Sequence, residues 1–232
     1  MAALTTLRPL LRRLLRRNPL ALRFGQIAAT VPLSTEFGFD RGTPIDRYYI
    51  ERFLAAHAED IRGRVLEVGD ATYSQRFGSR RVEHQDVLHV RAGHPDATLV
   101  GDLCDPQVLP SEAFDCIILT QTLHLIFDMP LAVAQLNRAL RRGGVLLITA
   151  PGITPVDRGE WRHSWYWSLT GLALDRLLSG SFAAAKFKST VYGNLFAATA
   201  FLHGAAAEEV DAAKLDWFDP SYPVTIAARA EA

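Results

Sequence analysis

The chain has 232 residues, of which 49% are hydrophobic and 22% are charged, and its 25 basic and 25 acidic residues give a formal net charge of zero. This composition excludes an intrinsically disordered protein, because such chains combine low hydrophobicity with high net charge. It also argues against a protein whose whole body binds nucleic acid. The two cysteines, Cys104 and Cys116, provide no disulfide framework and no paired metal ligands, so no metal site is expected.

The first 35 residues contain six arginines and no acidic residue, which leaves the rest of the chain with a net charge of −6. Leucines between Leu4 and Leu15 recur at helical spacing, the arginines lie mostly on the opposite side, and Pro19 should end this helix near Asn18. Three interpretations stay open: a solvated helix that docks on the body or a partner, a helix on anionic lipid, and an organellar transit peptide. The sequence contains no stretch of about 18 consecutive apolar residues, so no transmembrane helix is predicted.

Residues 1–43 therefore form the basic helix and an irregular linker, and residues 44–232 form one domain. Strands alternating with helices along this domain predict an α/β fold with a doubly wound, mostly parallel sheet. The run at 114–120 is continuously apolar, which is typical of a central strand covered on both faces. The predicted helices are 44–61, 129–142, 168–178 and 195–209; the strands are 64–69, one ending near Asp86, 97–101, 114–120, 145–150, 186–192 and 223–228.

Polar residues follow the carboxyl ends of the first four predicted strands, where ligands bind in open α/β sheets. Asp86 comes nineteen residues after Glu67, and a carboxylate at that place suits the two hydroxyls of a ribose. Asp102 beside Leu103 suits an adenine, because the acid accepts a hydrogen bond from the amine and the leucine flanks the ring. Any one of these acids would also serve as a turn or N-cap residue. The full candidate set is Glu67, Gly69, Asp70 and Ala71; Asp86 and Val87; Asp102 and Leu103; Thr120 and Gln121.

Four segments carry a resemblance to a known family: VLEVG at 65–69, VGDL at 100–103, FDCIIL at 114–119 and LRRGGVLLI at 140–148. In the order and spacing of these segments, the chain resembles the class I S-adenosylmethionine-dependent methyltransferases. More narrowly, residues 40–49 and 215–224 resemble a bacterial group often encoded beside glycosyltransferases. The resemblance implies a seven-stranded Rossmann-like sheet whose last strand is antiparallel, with S-adenosylmethionine as the cofactor of a cytoplasmic enzyme.

The resemblance places Glu67 and Gly69 near the methionine moiety, Asp86 on the ribose, and Asp102 with Leu103 at the adenine. The chain departs from the usual Gly-x-Gly loop, because Ala71 stands where a second glycine is expected. Tyr73 must therefore point away from the ligand or stack on it. Neither the G-x-G-x-x-G loop of nicotinamide folds nor a phosphate loop is present.

His124 is the best-placed general base for a hydroxyl acceptor, because it follows the fourth strand, whose end faces the cofactor methyl group in this fold. A packed histidine at a helix start is the alternative. His163, on another loop, is the second candidate, with simple exposure as its alternative. Asp128 could also serve as the base, or could only cap the next helix.

Aromatic residues after the fifth strand suggest the acceptor pocket, since Trp161, Trp165 and Tyr166 could stack on a sugar or planar ligand. The alternative is a surface loop anchored in the core. By resemblance, Arg47 and Tyr48 could close over the cofactor, or they could belong to an ordinary amphipathic helix. The similar group has an acid where this chain has Trp165, which indicates a more apolar pocket or loss of the usual activity.

The leading hypothesis is a methyltransferase that methylates an oxygen of a glycan or glycosylated small metabolite, with no nucleic-acid partner. The second is a non-catalytic protein of the same fold that serves as a scaffold for a glycosyltransferase or a membrane-bound assembly, with the N-terminal helix as a peripheral membrane contact. A third is an enzyme that uses the same pocket for chemistry other than methylation.

Overall fold

The computed structural model describes residues 29–232. The predicted basic helix near residues 1–18 and the first part of the linker lie outside the described residues. None of the helices between residues 29 and 232 has the length and apolar character needed to cross a bilayer.

The described chain alternates between strands and helices, as the apolar periodicity predicts. Helix starts follow local capping rules: the Asp128 carboxylate accepts a hydrogen bond from the Leu131 N–H, and Pro130 occupies the first turn. In chain order the elements are α1 (Ile45–Ala56), β1 (Gly63–Val68), β2 (Val82–His89), β3 (Leu99–Val100), β4 (Phe114–Thr120), α2 (Met129–Ala139), β5 (Leu140–Pro151), α3 (Gly171–Leu178), β6 (Phe187–Tyr192), α4 (Leu195–Leu202), α5 (Ala212–Leu215) and β7 (Thr225–Glu231).

The strands form one seven-stranded sheet in the order β3-β2-β1-β4-β5-β7-β6. The pairs among β1 to β5 are parallel, and β7 runs antiparallel to both of its neighbours. The predicted doubly wound, mostly parallel sheet with an antiparallel last strand is therefore confirmed. Its order reverses between β1 and β4, which is where ligands bind in such sheets.

Strand β4 lies at the centre and is covered on both faces, as its apolar run predicts. Ile117 and Ile118 point to opposite faces, and both are fully buried. Ile117 packs in a core with Leu136 of α2, whereas Ile118 packs in a second core with Phe53 of α1. Cys116, beside them, is fully buried, and burial raises the pKa of its thiol, so it is a core residue.

The predicted end of the second strand near Asp86 is wrong, because β2 continues to His89. Asp86 pairs with Leu66 in the middle of the β1–β2 ladder, and pairing continues to Leu88 opposite Val68. A strand ends where its neighbours stop pairing with it, and the local sequence does not show where that is.

Three helix ends also differ from the prediction, and the first is that of helix α4, which ends at Leu202 instead of 209. Helix α2 stops at Ala139 instead of 142, because Leu140 already pairs with Phe114 in β4. Helix α1 ends at Ala56, and a separate turn of 3-10 helix follows at Ala58–Asp60.

The described part of the linker is attached to the domain near the end of α4. The Leu33 N–H donates to the carbonyl of His203 at 2.8 Å, and the Arg41 guanidinium Nε bonds to the Glu209 carboxylate at 2.8 Å. These contacts bring the linker aromatics Phe37 and Phe39 to the edge of the sheet where the parallel strands end.

Candidate functional site

A cavity of about 1100 Å³ opens at the carboxyl ends of β1 to β4. Its walls include the residues that directly follow these four strands, as expected at a switch in strand order. On the other side, the walls come from the loop after β5, from α1 and from the linker. The strand-end residues in its walls are Glu67, Gly69 and Asp70; His89, Val90 and Arg91; Asp102 and Leu103; Thr120 and Gln121.

The loop after β1 forms an open cradle. The Glu67 carboxylate is 2% exposed and accepts the backbone N–H groups of Tyr73 and Ser74 at 3.1 and 2.7 Å, which fastens the loop. Burial raises the pKa of Glu67 despite these bonds. Gly69 has φ 105°, and a Cβ built there would meet nothing within 4 Å. Ala71 is buried outside the cavity walls, and Tyr73 lies in the wall, where it stacks on Phe77.

Asp86 does not reach the cavity. Its carboxylate bonds to the Arg64 Nε at 2.7 Å and the Thr98 hydroxyl at 2.9 Å inside the β1–β2–β3 region. Burial opposes ionisation of Asp86, but the bonds from Arg64 and Thr98 outweigh it and lower the pKa. Val87 is a core residue, 2% exposed. Neither is in position to contact a ligand in this cavity, and Arg91 lines it at the β2 end instead.

The end of β3 presents Asp102 and Leu103 to the cavity, as predicted from their positions. The Asp102 carboxylate accepts the N–H of Cys104 at 2.8 Å, which makes a tight turn, and Leu103 is 4% exposed. This edge combines an apolar side chain with a carboxylate, a pairing that suits the edge and face of a purine.

The end of β4 brings Gln121 and His124 into the cavity wall. Gln121 has φ 46°, a left-handed conformation that is uncommon outside glycine, and its N–H donates to the Thr149 carbonyl at 3.0 Å. His124 is 1% exposed, and burial, followed by the charge of Arg47, lowers its pKa to about 3. The imidazole is therefore neutral near pH 7 and is a weak base.

The loop after β5 supplies the aromatic wall. Trp165 meets the His124 ring edge-on at 4.3 Å between centroids. The Phe37 ring stacks on Trp165 at 5.8 Å with an interplanar angle of 12°. Tyr166 packs edge-on against Phe127 at 5.4 Å. The sequence did not indicate Phe37, because it lies in the irregular linker; an aromatic residue among glycines was its only local signal.

Arg47, Trp161, Trp165 and Tyr166 all line the cavity, but Tyr48 and His163 do not. The Tyr48 hydroxyl donates to the Asp216 carboxylate at 2.7 Å on the far side of α1.

His163 is exposed, and its Nε2 accepts a hydrogen bond from the neighbouring Arg162. Asp128 lines the cavity while it caps α2. The structure therefore brings only His124 and Asp128, among the predicted bases, to this site.

Residues 55–148 match the profile of the family described as "Methyltransferase domain". A SAM-dependent methyltransferase from Archaeoglobus fulgidus has a similar structure, with TM-score 0.53 and 10% identity over 80% of this chain and 94% of its own. The cyclase SpnF gives TM-score 0.52 and 18% identity over 97% and 92%. An S-adenosylmethionine-dependent methyltransferase from Mesorhizobium loti gives 0.51 and 15% over 84% and 100%. A search of curated protein sequences gave no match.

Residues 55–148 therefore carry a methyltransferase domain, and the sheet order and the cavity at the strand ends support an S-adenosylmethionine-dependent methyltransferase. S-Adenosylmethionine is the cofactor of this domain. The residues present fit it, since Gly69 leaves open space where a side chain would stand, and Asp102 with Leu103 form an edge suited to adenine.

Proposed function

We propose that this protein transfers a methyl group to an oxygen atom of a glycan or a glycosylated small metabolite. It would do so in the bacterial cytoplasm, with a glycosyltransferase as its partner. The observation that carries the proposal is the continuity of the cavity. One part is lined by Gly69, Asp102 and Leu103, and the other by Trp165 and Tyr166. A cofactor and a ring-bearing acceptor would therefore lie in one space.

S-Adenosylmethionine supplies an activated methyl group, so the main work of the protein is to align the acceptor oxygen with it. Trp161, Trp165 and Tyr166 line the cavity, and aromatic side chains of this kind stack on sugars and planar rings. The neutral imidazole of His124 lies in the same cavity wall and orients the acceptor oxygen through a hydrogen bond. Because burial lowers the pKa of His124 to about 3, the ring positions the acceptor oxygen and does not take up its proton.

Calorimetry with S-adenosylhomocysteine tests the cofactor half of this proposal, and labelled methyl transfer to a panel of glycosides tests the acceptor half. Trp165→Ala should abolish methyl transfer while binding of S-adenosylhomocysteine persists. Trp217→Ala is the matched control, because Trp217 is 72% exposed and lies outside the cavity walls. Folded protein that binds no S-adenosylhomocysteine at millimolar concentration would contradict the proposal.

A second candidate function is the non-catalytic scaffold for a glycosyltransferase or a membrane-bound assembly. It is favoured by the β2 end, where the described cavity walls present His89, Val90 and Arg91 and no acidic side chain to hold a ribose. Deleting residues 1–20 separates the two: an enzyme keeps cofactor binding, whereas a scaffold loses its complex. The fold does not settle the reaction, so the product must be checked for the added methyl group by mass.

A further inference from the structure

Three side chains in one wall of the cavity carry buried polar atoms without a hydrogen-bond partner. These atoms bear on the identity of the methyl acceptor, so this inference rests on the proposed function. Both amide atoms of Gln121, both ring nitrogens of His124 and the indole Nε1 of Trp165 make no hydrogen bond. All three residues line the same cavity. A buried polar group without a hydrogen-bond partner is unfavourable in free energy. A ligand that forms hydrogen bonds with these atoms would remove this cost and bind more tightly.

The unpartnered atoms are mostly hydrogen-bond donors. The Gln121 amide has two N–H bonds, and Trp165 and the neutral His124 ring have one each. The left-handed backbone of Gln121 is held by the Thr149 carbonyl at 3.0 Å, and such strain is typical of functional sites. Donors fixed in a buried wall are suited to an oxygen that carries negative charge.

Each carboxylate in the described cavity walls already accepts at least one hydrogen bond from the protein. A base in the right place typically contributes about 10²–10⁴-fold, and alkyl hydroxyls need it because they hold their protons tightly. The carboxylates and their partners are Glu67 with the N–H groups of Tyr73 and Ser74, Asp46 with Arg47, Asp70 with the Thr72 N–H, Asp102 with the Cys104 N–H, Asp128 with the Leu131 N–H, and Asp157 with the N–H groups of Gly159 and Trp161.

Arg47 adds a positive charge to the part of the cavity that contains His124. Arg47 lines it from α1, and its charge disfavours protonation of His124. Asp46 pairs with Arg47 at 3.2 Å and offsets part of this charge. The donor's sulfonium adds a further positive charge, which favours an ionised oxygen. The stacked rings of Phe37 and Trp165 make this part of the wall flat, which suits a planar ring.

We propose that the methyl acceptor is a phenolic or enolic hydroxyl on the planar aglycone of a glycosylated metabolite, and that it binds as its anion. Gln121 and Trp165 donate N–H groups to the ionised oxygen, and the ring lies along Trp165. The hydroxyl proton leaves to solvent when the acceptor binds. The oxygen lone pair then forms the bond to the methyl carbon, the carbon–sulfur bond breaks, and its electron pair stays on sulfur, which gives a methyl ether and a neutral thioether.

The probe is 4-nitrophenol, whose anion has its own absorbance, titrated against pH on full-length protein saturated with S-adenosylhomocysteine. The bound phenol should ionise at a pH at least about one unit below that of the free phenol, which is a tenfold preference for the anion. Trp165→Phe keeps the ring and removes the N–H, and Gln121→Ala removes the amide. Each should weaken binding of the anion several-fold and reduce the shift, whereas Trp217→Phe, outside the cavity, should change neither.

The inference is overturned if the bound phenol ionises at the same or a higher pH than the free phenol. It is also overturned if 4-nitrophenol fails to bind at millimolar concentration while methyl β-glucoside is methylated. Absence of S-adenosylhomocysteine binding, measured first by calorimetry, would instead refute the proposed function itself. Binding of S-adenosylhomocysteine without any phenol binding refutes only the phenolic acceptor.

Discussion

Replacing His124 with a side chain that does not titrate should remove a pH-dependent part of the free energy of unfolding. The ring is 1% exposed, and burial lowers its pKa to about 3 from an ordinary value of 6.5. Between these two values the unfolded chain binds more protons than the folded chain, so stability falls as the pH falls. At 1.36 kcal/mol per pKa unit, the contribution lost between about pH 7 and about pH 5 is about 2 kcal/mol.

The measurement is urea unfolding of the wild type and of His124→Gln at both pH values. Other titrating groups contribute equally to the two proteins, so the difference between their free energies of unfolding isolates His124. His163→Gln, in an exposed loop, is the matched control and should stay within about 0.5 kcal/mol of the wild type. Equal losses in wild type and His124→Gln on acidification would refute the assignment of a buried, neutral imidazole.

Two further substitutions distinguish a residue at the proposed cofactor site from a residue that only stabilises the fold beside it. Gly69→Ala should weaken S-adenosylhomocysteine binding at least about tenfold in calorimetry, because the new methyl group would stand in the cradle. Gly143→Ala is the matched control, because it imposes a similar backbone strain of about 1–2 kcal/mol outside the cavity. This variant should bind S-adenosylhomocysteine normally. Equal losses of affinity in the two variants would contradict a cofactor cradle at Gly69. Asp86→Asn should lower the free energy of unfolding in urea by about 1–3 kcal/mol, because it weakens the hydrogen bonds to Arg64 and Thr98. Its affinity for S-adenosylhomocysteine should be unchanged. A loss of that affinity would place Asp86 at the ligand.

The order of strands and helices could be predicted because the burial of each element depends on its own residues. The run at 114–120 is apolar on both faces, and it became the central strand. The positions of Glu67, Gly69, Asp102 and Gln121 at the cavity also followed from the sequence, because each directly follows or ends its strand.

The extent of a strand could not be predicted in the same way. Asp86 was expected at the end of β2, but the strand continues for three residues beyond it, to His89, and the ladder with β1 continues to Leu88. The polar residues 82–86 give no sign of which positions have a hydrogen-bonded neighbour. Because the strand ends three residues later than predicted, Asp86 lies outside the cavity walls and Arg91 lies in them.

The sequence by itself determined the α/β class, the parallel sheet and the edge of that sheet where the candidate cavity opens, since apolar periodicity and residues at strand ends are local properties. Only the tertiary structure decided which side chains share the aromatic wall of the cavity. Phe37, His124 and Trp165 come from the linker, from β4 and from the loop after β5, and they meet because those segments pack together. That packing also excludes water from His124, and the loss of hydration, which no local pattern encodes, keeps its ring neutral.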